Sequence, residues 1–308
     1  MRKFSITVLI ILGLACLSVY KMNYKQELLI SPISKYGQSV SSNQWFPKDL
    51  PAGRQDVLGL FVSAPNIDAK SAFFVEAKKG EVLFSKEAHS KLPIASLTKI
   101  MTVLIALEHK SMDDEYLVSK RASGMEPDEM ILLPGETLTL KELLYGIFLV
   151  SANDAAEVLA EGSVGDRSEF IELMNDKVDL LGMKDTKFVN PTGLDENSGS
   201  SYSSAYDMAI LTRYLIRHYP EVVEISKIPY IFIPETAKHQ SYEMWSGINL
   251  LTSYPGVVGF KTGYTPEAGM TLITLARKNG HEVIGVLLGS ESRRDEAREL
   301  LDYSFKQL

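Results

Sequence analysis

VVGFKTGYTPEAGMTLITLARKNGHEVIGVLLG, residues 257–289, holds three apolar runs broken by two turn signals. The first run covers 257–262, and a turn containing Pro266 follows it. MTLITLAR (270–277) and HEVIGVLLG (281–289) flank Asn279-Gly280, a pair suited to the left-handed conformations of a tight hairpin turn. These runs predict three antiparallel strands. Immediately downstream, RRDEARELLDYSFKQL places Ala297, Leu300, Leu301 and Phe305 on one face of a helix. Far upstream, SAFFVEAKKGEVLFS (71–85) reads as a further hairpin around Lys78-Lys79-Gly80. Helical spacing dominates the region between about 95 and 220, with candidate helices over 96–109, 140–150, 153–162, 167–182 and 205–217. Two strands, a helical insert, three strands and a final helix make an α+β plan: an antiparallel sheet flanked by helices, with an inserted mostly helical subdomain over about 110–220. A cleft between the sheet edge and the helical block is the natural place for a site.

The 308 residues are 45% apolar, enough for a sizeable core over 66–308. A net charge of −7 argues against nucleic acid, and against a generic anionic membrane surface, since both demand a basic face. Cys16 is the single cysteine, so no intrachain disulfide can form. The five histidines (His89, His109, His218, His239, His281) show no ligand spacing, so a zinc site is not expected, and no sequence feature implies another metal or an organic cofactor.

At the N-terminus, Arg2 and Lys3 precede an uncharged apolar run from Phe4 to Tyr20, followed by Lys21. That pattern predicts a signal-anchor or signal peptide over 1–21 and places the working protein outside the cytoplasmic membrane. Gly13-Leu14-Ala15 before Cys16 resembles a lipoprotein box only loosely, and Cys16 also suits an apolar anchor. Residues 22–65, with prolines at 47, 51 and 65, read as an extracytoplasmic linker.

Three short motifs stand in order: Ser96-Leu97-Thr98-Lys99, Ser151-Ala152-Asn153 and Lys261-Thr262-Gly263. Each alone is weak; about one S-x-x-K arises by chance in a chain of this length. Their contexts give them force. Ser96 opens an apolar helix, at the positive end of its macrodipole, and Lys99 lies one turn on along the same face. A serine hydroxyl needs a base to become nucleophilic, and a buried lysine near a second cation such as Lys261 can be that base. Ser151 and Asn153 fall between two helices, where either can cap a helix. In a catalytic setting Ser151 can pass a proton to a leaving amine, and Asn153 can hold a substrate amide or the Lys99 ammonium. Lys261-Thr262-Gly263 ends a strand; the lysine and threonine suit a terminal carboxylate, and glycine lets a substrate backbone lie alongside. A solvated edge lysine is the plainer alternative. Backbone N–H groups of Ser96 and Tyr264 are the candidate oxyanion donors.

The stretches KLPIASLTKIMTVLIALE, SANDAAEVLAE, ELMNDKVDLLGMKDTKFVNPTGL, YSSAYDMAIL and GVVGFKTGYTPEAGMTL resemble the low-molecular-mass penicillin-binding proteins, the D-alanyl-D-alanine carboxypeptidases of peptidase family S11. The resemblance covers about 70 to 308. It implies the penicillin-binding transpeptidase/β-lactamase-like fold and a serine D,D-carboxypeptidase acting on D-Ala-D-Ala stem peptides of peptidoglycan, with β-lactams as covalent inhibitors. In that scheme Ser96 is nucleophile, Lys99 base, Ser151, Asn153 and Lys261 support them, and Arg293 meets the substrate carboxylate, with Arg294 adjacent. Ala152 departs from the usual glycine, and Val258 from a frequent acidic residue. Many relatives continue past the point matching Leu308 into a β-rich domain and an anchor helix, so the N-terminal segment is the expected tether to the membrane.

A serine β-lactamase shares the three motifs, but no E-x-x-L-N segment occurs in 155–255. A D,D-endopeptidase would use the same chemistry with a wider acceptor side, and a non-catalytic wall-binding homologue would keep only the fold.

Overall fold

The computed structural model describes residues 45–48, 64–195 and 199–308. Among the described residues the first elements are β1 (Ser71–Glu76), β2 (Val82–Lys86) and β3 (Leu92–Pro93). A 3₁₀ turn (Ala95–Thr98) then leads into α1 (Lys99–His109). Next come β4 (Glu115–Leu117), β5 (Thr137–Thr139), α2 (Leu140–Tyr145) with a π-type turn (Gly146–Val150), α3 (Asn153–Gly162) and α4 (Arg167–Leu181). β6 (Tyr202–Ser203), α5 (Ala205–His218), α6 (Glu221–Ser226), β7 (Tyr230–Ile233), β8 (Tyr242–Trp245) and α7 (Leu250–Ser253) follow. The chain closes with β9 (Val257–Thr265), β10 (Gly269–Lys278), β11 (His281–Ser290) and α8 (Arg293–Lys306).

Five strands form one antiparallel sheet in the order β2-β1-β11-β10-β9. Its two ends of sequence meet at the centre, where Phe73 pairs with Val286 and Phe74 with Gly285. Both faces are covered, which is why the central runs are apolar without alternation. Phe73, Val75, Ile273, Ile284 and Val286 face the large helical core, whereas Ala72, Phe74, Leu272, Val283 and Leu287 face Ala297, Leu300 and Leu301 of α8. The Asn279-Gly280 turn takes φ of 52° and 79°, the left-handed pair that its sequence predicts. Glu296 ties the segment just before β1 to α8: its Oε1 accepts from the Ala69 N–H at 2.8 Å, and its Oε2 from the Ser290 hydroxyl.

Three local expectations need correction. Residues 96–109 are not one α-helix: the 3₁₀ turn holds Ser96, with Ala95 at φ 49°, and only Lys99 begins α1. Packing of that turn against β9 and β10 sets its geometry; the Thr271 hydroxyl donates to the Ile94 carbonyl at 3.2 Å. The helix predicted over 140–150 widens after Tyr145 into the π-type turn. β9 runs on to Thr265, so Lys261-Thr262-Gly263 lies within a strand rather than at its end. The region 110–220 includes the β4–β5 pair, and its last helix, α5, packs on β1 and β11. Among the described residues of 22–65, the Lys48 carbonyl accepts from the Val82 N–H at 2.9 Å and the Trp45 ring lies 4.6 Å from the Arg213 guanidinium. The N-terminal apolar run lies outside the described residues. No helix among the described residues is long and apolar enough to cross a membrane.

Candidate active site

Ser96, Lys99, Ser151, Asn153 and Lys261 come from four separate elements and converge where the 3₁₀ turn, the start of α3 and the edge strand β9 meet. Lys99 is at the centre and has no solvent exposure. Its Nζ lies 2.8 Å from Ser96 Oγ, 2.6 Å from Asn153 Oδ1 and 2.7 Å from the Thr192 carbonyl oxygen. Two of these partners can only accept a hydrogen bond from the amine, while the serine hydroxyl can also donate. A neutral amine has two N–H bonds and one lone pair. In its neutral form Lys99 can donate to Asn153 and Thr192 while its lone pair accepts a hydrogen bond from the Ser96 hydroxyl. Burial pushes the Lys99 pKa well below 10.5, the Lys261 charge adds to that effect, and Asp128 and Asp154 partly oppose it.

Ser151 and Asn153 do not cap α3. Ser151 adopts the left-handed conformation at φ 64°, uncommon for a residue with a side chain. Its Oγ accepts from Lys261 Nζ at 2.8 Å. Asn153 is already the first residue of α3; its Nδ2 donates to the Pro127 carbonyl, which turns Oδ1 toward Lys99. Ala152 sits at φ −50°, so the backbone there has no need of a glycine.

Sequence reasoning missed how this corner is held. The buried Asp154 carboxylate accepts backbone N–H groups of Met130 at 3.0 Å, Leu132 at 3.0 Å and Ala155 at 2.8 Å. It fastens the loop whose Asp128 carbonyl accepts the Asn153 N–H at 2.7 Å. An acid in the first turn of a helix is too common to have flagged this role. The Thr192 carbonyl was equally hidden, because a backbone oxygen leaves no trace in residue type.

Strand alternation divides the third motif. Lys261 pairs with Ile273 and reaches toward Ser151, while Thr262 pairs with Leu272 on the opposite face. Lys261 is buried, and its Nζ also donates to the Thr262 carbonyl at 2.7 Å. Burial lowers its pKa to about 7; Asp128 raises it and Arg293 lowers it further. Gly263 lets β9 pass close to the 3₁₀ turn: a Cβ there would lie 2.9 Å from the Ser96 nitrogen. Tyr264 follows with an exposed side chain. Arg293 Nη1 donates to the Gly263 carbonyl at 2.7 Å, whereas Arg294 pairs with Asp295 in solvent. Of the two arginines, the structure thus brings Arg293 to β9. Thr262, Leu272 and both arginines line a small concavity with Gly247–Leu250. Among the described residues, no group of three or more His, Cys, Asp or Glu could hold a metal ion.

The two lysines set the expected pH response. Below the Lys99 pKa its amine is protonated and cannot accept a proton from Ser96, so any reaction that needs the Ser96 hydroxyl deprotonated by Lys99 should speed up as pH rises through that value. Above about 7 Lys261 loses its charge, and the attraction of this corner for an anionic group should fall. The profile of kcat/KM for a peptide ending in a free carboxylate should be bell-shaped. Lys261→Gln should remove the alkaline limb; its persistence in that variant would assign the limb to another group.

A family model of D-alanyl-D-alanine carboxypeptidases, peptidase family S11, matches residues 59–292. The chain belongs to this family. It is 38% identical over 250 residues to D-alanyl-D-alanine carboxypeptidase DacF of Bacillus subtilis, covering 78% of this chain and 63% of that protein. The chain thus spans a little under two thirds of that S11 relative. Penicillin-binding protein D2 of Listeria monocytogenes, solved in its cefotaxime-bound form, superposes with a TM-score of 0.66 at 31% identity, covering 79% of this chain and 100% of that one. The Streptomyces K15 DD-transpeptidase gives a TM-score of 0.73 at 27% identity, over 79% and 99% of the two chains. These neighbours share the α+β fold expected from the strand and helix order, an antiparallel sheet flanked by helices.

Proposed function

We propose that the protein is a penicillin-sensitive serine D,D-carboxypeptidase that removes the terminal D-alanine from peptidoglycan stem pentapeptides. The observation that carries this reading is the coordination of Lys99 by Ser96, Asn153 and the Thr192 carbonyl. Such a site activates a hydroxyl without histidine.

In the first half-reaction, Lys99 takes the Ser96 proton as Oγ bonds to the carbonyl carbon of the penultimate D-alanine. The developing oxyanion is held by the Ser96 and Tyr264 N–H groups. The substrate carboxylate lies at the outer edge of β9 near Thr262 and Arg293, within the field of Lys261. As the C–N bond breaks, the proton on Lys99 passes through Ser151 to the leaving amine, and D-alanine departs. Water then attacks the Ser96 ester; Lys99 takes its proton and returns one to Oγ. A β-lactam enters the same path through its strained amide and leaves Ser96 acylated. In this proposal residues 1–21 export or tether the protein, 22–65 form a linker, and 66–308 work outside the cytoplasmic membrane.

The full chain should release D-alanine from a synthetic pentapeptide ending in D-Ala-D-Ala, and Ser96→Ala should release none above background. No release by the wild-type protein, or release by Ser96→Ala, would overturn the assignment.

A further inference from the structure

The hairpin β7–β8 separates its side chains cleanly. Ile233, Tyr242 and Met244 are buried, whereas Tyr230, Phe232 and Trp245 are 44%, 55% and 59% exposed. Tyr230 and Trp245 are cross-strand partners with ring centroids 5.1 Å apart. Phe232 pairs with Glu243, whose Oε1 accepts from the Tyr230 hydroxyl at 2.8 Å. Three large rings and a carboxylate therefore share one solvent-facing surface, a composition that folding alone does not call for.

This surface adjoins the catalytic cleft. Immediately after β8, the Gly247 N–H donates at 2.9 Å to the carbonyl of Leu149, two residues before Ser151. Gly247 through Leu250 then line the concavity shared with Thr262 and Arg293. A polymer whose side branch occupies the cleft would have its main chain within reach of the rings.

We propose that the Tyr230–Phe232–Trp245 face binds the N-acetylated hexosamine glycan to which the stem peptide is attached. The proposal rests on the peptidoglycan substrate assigned above. Pyranose rings present a face of C–H bonds whose positive edges suit the negative faces of aromatic rings. Glu243 supplies an acceptor for sugar hydroxyl or acetamide N–H groups. An anionic lipid surface fits less well. Lys227, just before the hairpin, and Lys238, in its connecting loop, are already paired with Glu224 and Glu115, and Glu235 and Glu243 add negative charge. The hairpin then serves as a positioning surface that lowers KM for polymer-borne stems and leaves the chemical step alone.

The test uses the full chain and a Tyr230→Ala/Trp245→Ala variant, with Phe232→Ala as an independent second variant and circular dichroism to verify folding. N-acetylchitotetraose binding, followed by calorimetry, should weaken by about tenfold in the double variant. KM for D-alanine release from polymeric peptidoglycan should rise, while kcat/KM for a sugar-free pentapeptide stays unchanged. Equal oligosaccharide binding by wild type and variants, or none by the wild type, overturns the proposal. So does a defect confined to phosphatidylglycerol vesicles or to self-association by light scattering, which would identify a membrane face or a dimer face instead. If the wild-type protein releases no D-alanine from the sugar-free peptide, the carboxypeptidase reading falls, while oligosaccharide binding still decides the role of the hairpin.

Discussion

Replacing Lys99 with methionine should slow acylation of Ser96 by a fluorescent penicillin by about 10²- to 10⁴-fold, the usual contribution of a positioned general base. Methionine is unbranched and close to lysine in length, so it can fill the buried slot at the start of α1. It has no proton acceptor comparable to a neutral amine. Without Nζ, the Asn153 Oδ1 and Thr192 carbonyl lose their donor, which lowers stability, but an ionisable group also leaves a dry site, which raises it. The fold should therefore survive.

The same variant has a thermodynamic signature. The Lys99 pKa is lower in the folded protein than the 10.5 of a free lysine. Between those two values the unfolded chain binds more protons than the folded one, so stability rises with pH across that window. Lys99→Met should flatten part of this rise, leaving the part due to Lys261 between about 7 and 10.5. Stopped-flow acylation and denaturant titrations at several pH values measure the two effects. Acylation at the wild-type rate would place the base elsewhere.

Gly263→Ala is expected to be nearly as damaging, for a steric reason. The added methyl would sit 2.6 Å from Thr271 Oγ1, 2.9 Å from the Ser96 nitrogen and 3.2 Å from Ala95 Cβ. All three distances fall below the ~3.5–4.0 Å at which such atoms attract. Relief requires the 3₁₀ turn to move off β9, taking Ser96 with it. A displacement approaching ~1 Å at reacting atoms costs roughly 10²-fold in rate. Overpacking should also lower stability by about 1–3 kcal/mol. Gly124→Ala, where a methyl meets nothing within 4 Å, provides the control. Acylation of Gly263→Ala within about tenfold of wild type would show that the turn tolerates the shift, contrary to the positioning argument.

How much of this was legible in the sequence depended on whether local pattern or tertiary contact controlled each element. The β10–β11 hairpin was readable because Asn279-Gly280 carries its turn geometry in two residue types. The final helix was readable because Ala297, Leu300 and Leu301 repeat at helical spacing and are buried against the sheet. The β7–β8 hairpin escaped notice: its strands are only four residues long, and the eight residues joining them contain no tight-turn pair. In the site, the Ser96–Lys99 spacing was visible because one helical turn joins them. The conformation of Ser151 was not, since it is a non-glycine residue at positive φ whose Oγ meets Lys261 from 110 positions away in sequence. Helix capping, the local role suggested for Ser151 and Asn153, gave way to contacts with the two lysines. Asp154 and the Thr192 carbonyl act through geometry that only the folded chain creates.

The central claim is that Ser96 is the nucleophile, activated by Lys99. Intact-protein mass spectrometry after incubation with benzylpenicillin tests it most directly. A mass increase equal to one penicillin is expected, located by proteolysis on the peptide containing Ser96 and absent from Ser96→Ala. An adduct on another residue, or one that survives Ser96→Ala, would contradict it.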